Sequence, residues 1–181
     1  MNAATIRSLV VTALKAAQTD AGDRVYSPRD WPTSSPDYPV LLVQTPIDQK
    51  HSMGRNAPQF TSVTTVRITG RVETFDGESD DGAIQAEAAL ETLREQVERA
   101  VINSYDLTRQ TQQYREIRSA ISVDAGGEGH IGQLTYEIDV EYFQGPEDFY
   151  PVQTDELQGI DLRIQQPDGT TVPGFNADLT D

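Results

Sequence analysis

The sequence predicts an α+β fold: a mostly antiparallel sheet of about four strands with two helices on one face, and an extended C-terminal arm. Three observations carry this. Ile6–Ala17 and Ala86–Val101 repeat apolar residues at three- to four-residue intervals, the spacing of one stripe on a helix. Phe60–Phe75 and Ile131–Phe143 alternate apolar with polar residues, the period of a strand. The segments run helix, strand, long strand, helix, strand, strand, and the last two suit an antiparallel hairpin. That order gathers the helices on one side of one sheet.

The first helix is expected over residues 2–19, with Ile6, Leu9, Val10, Ala13, Leu14 and Ala17 as its stripe and Gly22 as the left-handed residue that ends it. Four prolines between Pro28 and Pro39 then remove donors and favour extended backbone, so this stretch reads as a loop with a short strand at Arg24–Tyr26. Tyr26, Trp31 and Tyr38 interleave with the prolines and are expected to pack over the core edge. Val40–Val43 is a continuous apolar run, read as a central strand that ends near Pro46. Residues 47–59, rich in polar residues with Gly54 and Pro58, read as a protruding loop.

Phe60–Phe75 is far longer than an ordinary strand, so a bulge or an overhang past the sheet is expected. Ser79 or Asp80 is placed to cap a second helix over residues 81–104, whose stripe is Ala86, Leu90, Leu93, Val97, Ala100 and Val101. After a polar link, Glu116–Asp124 and Ile131–Phe143 alternate as strands around a glycine-rich connection. From Gln144 onwards the chain carries four Pro, four Gly and eight acidic residues against one Arg, which divides it into a domain over residues 1–145 and an extension over 146–181. Within the extension, Ile160–Ile164 followed by Pro167-Asp168-Gly169 spells a strand and a turn, hence a short hairpin.

Across 181 residues, 29 acidic and 14 basic side chains leave a net charge of −15, the wrong sign for gripping phosphate backbones. With 36% hydrophobic residues the chain can build one core, and it holds no apolar run long enough for a bilayer. It reads as soluble, and its first twenty residues do not resemble a signal peptide. The absence of cysteine excludes disulfides, thiol catalysis and sulfur-bound zinc.

Three patterns imitate active sites. Gly127-Glu-Gly129-His-Ile-Gly132 spells GxGxxG, but it lies between two strands and opens no helix, so it lacks the helix N-terminus that holds pyrophosphate. Asp76, Glu78, Asp80 and Glu87 approach the oxygen spacing of a calcium loop, yet the glycine is displaced to Gly82 and a strand precedes it. His51 and His130 are expected in separate surface loops, without a catalytic spacing. No catalytic residue, cofactor or metal is therefore expected.

Charge supplies the remaining candidates. Lys50, His51 and Arg55, with Arg67 and Arg71, form basic islands; Glu137, Asp139 and Glu141 form an acidic row on one strand face. If the long strand pairs with the last core strand, Arg67 and Arg71 face those carboxylates across the sheet. The alternative places the opposed charges on two subunits, where they would orient an assembly.

In this order and texture the chain resembles the bacteriophage tail terminators, the family that includes the minor tail protein U of lambdoid siphophages. The resemblance rests on the helix Ile6–Ala17, the loop Val25-Tyr-Ser-Pro-Arg-Asp-Trp-Pro leading to Tyr38–Val43, the strand Thr65–Val72, the helix ending Arg99–Asn103, and the strand Leu134–Phe143. It covers roughly residues 1–145 and carries no residue roles across. It implies a non-enzymatic virion protein at the head-proximal end of the tail, assembled in the host cytoplasm. There it would form a ring, typically a hexamer, that stops growth of the tail tube and receives the head-completion proteins. DNA would pass through the ring without specific binding, with the acidic excess lining the channel. Residues 49–59 and 153–172 are the expected partner and inter-subunit contacts. A head-tail connector ring is the alternative within the same particle; a small acidic enzyme or ligand-binding domain is the alternative of another class.

Overall fold

In a computed structural model, residues 1–28, 37–55, 58–76, 81–125, 129–150 and 159–178 are described. The chain divides into two units, Met1–Phe149 and Tyr150–Asp181. The first is an α+β domain. Helix α1 (Ala3–Ala16) is followed by β1 (Val25–Tyr26), β2 (Val40–Ser52), β3 (Phe60–Phe75), α2 (Gly82–Ile102), the short α3 (Tyr105–Thr108), β4 (Gln113–Ala125) and β5 (Gly129–Gln144). The five strands lie in the order β1-β2-β3-β5-β4, and only the β1–β2 pair is parallel. The fifth strand, the two-residue β1, falls within the short strand expected at Arg24–Tyr26.

Both long helices form because one stripe of each can leave water. Ile6, Val10 and Leu14 of α1 and Ala86, Leu90, Leu93, Val97 and Val101 of α2 are buried. They meet Leu41, Val43, Val66, Ile68, Val72, Leu134, Tyr136, Ile138 and Val140 from one face of the sheet. Each such large side chain contributes roughly 1.5–3 kcal/mol by burial. Gly70 lets α2 come close, since a Cβ there would stand 2.9 Å from Leu93 Cδ2 and 3.3 Å from Leu41 Cδ2.

The helix ends differ from expectation. Asn2 caps α1 by accepting the Thr5 N–H at 2.9 Å. The left-handed residue after α1 is Gln18, at φ 49°, while Gly22, at φ 54°, serves the next turn. At the start of α2, Asp76 Oδ1 accepts the Gly82 N–H at 3.0 Å and contacts His130 Nε2 at 2.9 Å. Ser79 and Asp80 lie outside the described residues, as do Trp31 and Glu78. The polar link after α2 contains α3, capped by Ser104 and anchored by the buried Leu107.

The main correction concerns β2. It does not end near Pro46 but runs on to Ser52, so the first part of the expected loop, residues 47–52, is strand paired with β3, and the connection shortens to residues 53–59. The expected bulge sits here, between Gln44 and Ile47, rather than in β3, whose sixteen residues pair with β5 without interruption. Pro46, which has no N–H, falls in that irregularity and costs no ladder bond.

The second unit is a two-stranded antiparallel hairpin, β6 (Gly159–Gln165) and β7 (Thr171–Asp178). Its turn closes with Gly169 at φ 85° and Asp168 accepting the Thr170 N–H at 2.9 Å. A bulge follows Leu162.

Candidate interaction surface

Strand parity decides what each predicted residue can do. Odd positions of β3 and β5 turn away from the helices, so Arg67 lies opposite Glu137, and Arg71 opposite Gln133. Arg67 Nε donates to Glu137 Oε1 at 2.8 Å, and Arg71 Nε donates to Gln133 Oε1 at 3.1 Å. Of the two arginines expected to face the acidic row, Arg67 does so across the sheet; the register gives Arg71 an amide.

The edge strand β4 extends this row with a residue that pattern reading passed over. Arg118 contacts Glu137 Oε2 at 3.3 Å, Glu116 Oε2 at 3.0 Å and Asp139 Oδ2 at 3.5 Å. Asp139 also accepts from the Thr65 hydroxyl. Glu141 is met by Arg115 Nε at 3.4 Å and by the Gln113 side-chain amide at 3.1 Å. The hydrogen bond from Arg67 holds the Glu137 carboxyl below its ordinary range, against a smaller opposing effect of burial and with help from Arg118. The result is a charged band across β3, β5 and β4 on the face opposite the helices.

The basic island at the far end of β2 is divided by the same parity. Lys50 turns towards the helix-side face, where Lys50 Nζ lies 3.0 Å from Asp48 Oδ2 and donates to Gln144 Oε1. Asp48 Oδ1 accepts from Thr64 Oγ1 at 2.6 Å and from the Tyr142 hydroxyl at 3.2 Å. Ser62 Oγ donates to Gln144 Oε1 at 2.8 Å. Ser62, Thr64 and Tyr142 are fully buried, so these bonds replace water for groups that would otherwise be costly to hide. Burial alone would raise the Asp48 pKa, but hydrogen bonds from Thr64, Lys50 and Tyr142 and the Lys50 charge outweigh it and hold the carboxyl low. His51, opposite Thr61, and Arg55, in the connection to β3, are exposed; neither histidine is in a loop as expected, since His51 belongs to β2 and His130 to β5.

Two other surfaces stand out. A groove of about 540 Å³ between α1 and the α2–α3 corner is lined by small side chains, including Ala13, Ala16 and Ala100, together with Leu9, Arg99 and Tyr105. In the hairpin unit, Ile160, Leu162 and Ile164 share one face with Phe175, and all four are exposed. Neither signal was readable as a site: the groove comes from alanines on separate helices, and the hairpin's apolar positions look like an ordinary strand.

No protein-family model matches the chain, and no curated protein matches it in sequence.

Proposed function

We propose that the chain is a ring-forming structural protein of a bacteriophage tail that ends tube growth and joins the tail to the head. The observation that carries this reading is the charged face of the sheet. Strands β3, β5 and β4 place Glu73, Glu116, Asp124, Glu137, Asp139 and Glu141 there with Arg67, Arg71, Arg115 and Arg118. The arginines hold several of the carboxylates in fixed positions, and the acidic side keeps the majority. Such a face is rigid, wet and repellent to phosphate, as the wall of a channel that passes DNA must be. The element order that resembles the terminators, and the net charge of −15, support the same reading.

A ring also needs one surface complementary to the tube end and another that accepts no further tube subunits. The exposed Arg55 is the candidate for such a contact. Arg55→Glu should weaken assembly on purified tube ends while the monomer keeps its circular dichroism. Unchanged assembly in this variant removes Arg55 from the interface. Tube length in the presence of the protein separates a terminator from a neck connector, because only the terminator sets it.

A further inference from the structure

We propose that the hairpin β6–β7 of one copy adds to the edge strand β4 of a second copy, with β6 antiparallel to β4 and Asp161 opposite Arg118. This rests on an assembly of like subunits, as the ring reading does, but needs neither a tail nor six-fold closure.

A two-stranded hairpin alone in water is marginal, and this one leaves Ile160 41%, Leu162 55%, Ile164 58% and Phe175 59% exposed on one face. Its opposite face is polar, with Arg163 Nη2 3.1 Å from Asp161 Oδ2. Strand β4 has the same construction. Among the described residues it pairs only with β5, which leaves one backbone edge open over thirteen residues. Ile117 is exposed on its helix side, and Glu116 and Arg118 pair with each other on the polar side.

The two charge couples have the same spacing and the same order along the chain, acid first and arginine two residues later. Antiparallel pairing with Asp161 opposite Arg118 therefore sets Arg163 opposite Glu116 and Leu162 opposite Ile117. Directly opposed residues share a face, so one register aligns polar with polar, apolar with apolar, and each charge with its opposite. Shifting by two residues in either direction loses both charge pairs and sets like charges opposite each other, Arg163 on Arg118 or Asp161 on Glu116. Strand addition of this kind draws its affinity from main-chain bonds and its register from the side chains.

Chain length argues for a second copy. In this register Gly159 lies level with Ala120, which pairs with Thr135 of β5. Phe149 packs edge-on against Phe60, 5.5 Å between ring centroids, and Phe60 pairs with Gln144 at the other end of β5. Those levels are nine residues apart along a strand, about 31 Å at ~3.4 Å per residue. The ten steps from Phe149 to Gly159 span at most about 36 Å when fully extended. Within one chain the link would have to run back nearly taut while also crossing β4; between copies it has no such constraint. Each copy then offers one arm and one edge, a head-to-tail contact that closes into a ring when the rotation allows.

The test uses charge exchange in the full chain. One variant carries Glu116→Arg with Arg118→Glu, the other Asp161→Arg with Arg163→Asp, and solution mass is measured for each alone and for the mixture. Each alone should weaken self-association at least tenfold. The mixture should restore oligomers that contain both, because each variant's arm fits the other's edge. Leu162→Asp, which lies outside the charge couples and the core domain, should also weaken association, and circular dichroism checks that every variant is folded. An unchanged mass in either charge variant, a mixture that stays dissociated, or a wild-type chain that is monomeric at every concentration overturns the proposal. Restored mixed oligomers that fail to cap tubes would leave the arm standing and remove the tail role.

Discussion

Replacing Thr64 by valine isolates the buried polar cluster at the far end of β2, β3 and β5. The substitution keeps the shape and removes the hydroxyl that donates to Asp48 Oδ1 at 2.6 Å. A hydrogen bond to a charged group contributes about 1.5–3 kcal/mol. Asp48 keeps Lys50 and Tyr142 as partners and has a third of its side chain in water, so the loss should fall near the lower end, about 1–2 kcal/mol. For a chain of this size that lowers Tm by about 2–6 °C. The sign of the pH dependence follows from the low carboxyl pKa of Asp48. A group held below its unfolded value of 3.8 stabilises fully above that value, and the contribution is lost as the pH falls through the folded value. Urea unfolding of wild type and Thr64→Val should thus differ by a constant amount from about pH 7 to 5, and the difference should shrink below about pH 4. A loss under about 0.5 kcal/mol at pH 7, or one that persists undiminished in acid, refutes the reasoning.

Other substitutions probe the rest of the domain. Leu90→Ala, at a fully buried position of α2, should cost about 2–5 kcal/mol in urea unfolding, and a cost below 1 would mean that the helix does not pack as described. Among the described residues the buried Tyr136 hydroxyl has no hydrogen-bond partner, and burial pushes its pKa up to about 12; Tyr136→Phe should leave stability unchanged or raise it by up to about 1 kcal/mol, and a clear loss would reveal a partner. Gln18→Gly, at φ 49°, should raise the unfolding free energy by about 0.5–1 kcal/mol, and a fall would show that the Gln18 amide bond to the Lys15 carbonyl outweighs backbone strain.

The sequence was readable where hydrophobicity reports the surroundings directly. The bounds of β3 emerged intact, and β5 to within two residues, because one face of each is apolar over nearly its whole length. The helix stripes were legible for the same reason. Strand β2 beyond Pro46 was not, since Asp48, Lys50 and Ser52 occupy its helix-side positions and no apolar alternation remains to mark a strand. Their partners, Thr64, Ser62, Tyr142 and Gln144, come from distant parts of the chain and become visible only once the strands are paired. The Arg67–Glu137 contact followed from guessing the right strand neighbours, but a register summing to 204 puts Gln133, not an acid, opposite Arg71. Arg118 lies within an expected strand but carries no signal of its own in the sequence, because its role depends on Glu137 and Asp139 of β5. The hairpin was foreseen from its turn chemistry, whereas the exposure of its apolar face is a property of the folded unit alone.

The central claim is that copies of this chain close into a ring. Solution mass across a concentration series, with negative-stain images of the same samples and of samples mixed with purified tail tubes, tests it most directly. The account predicts a closed species with a central hole, of six copies by the terminator resemblance, free in solution or seated on tube ends. A chain that remains monomeric throughout and leaves tube ends bare would contradict it.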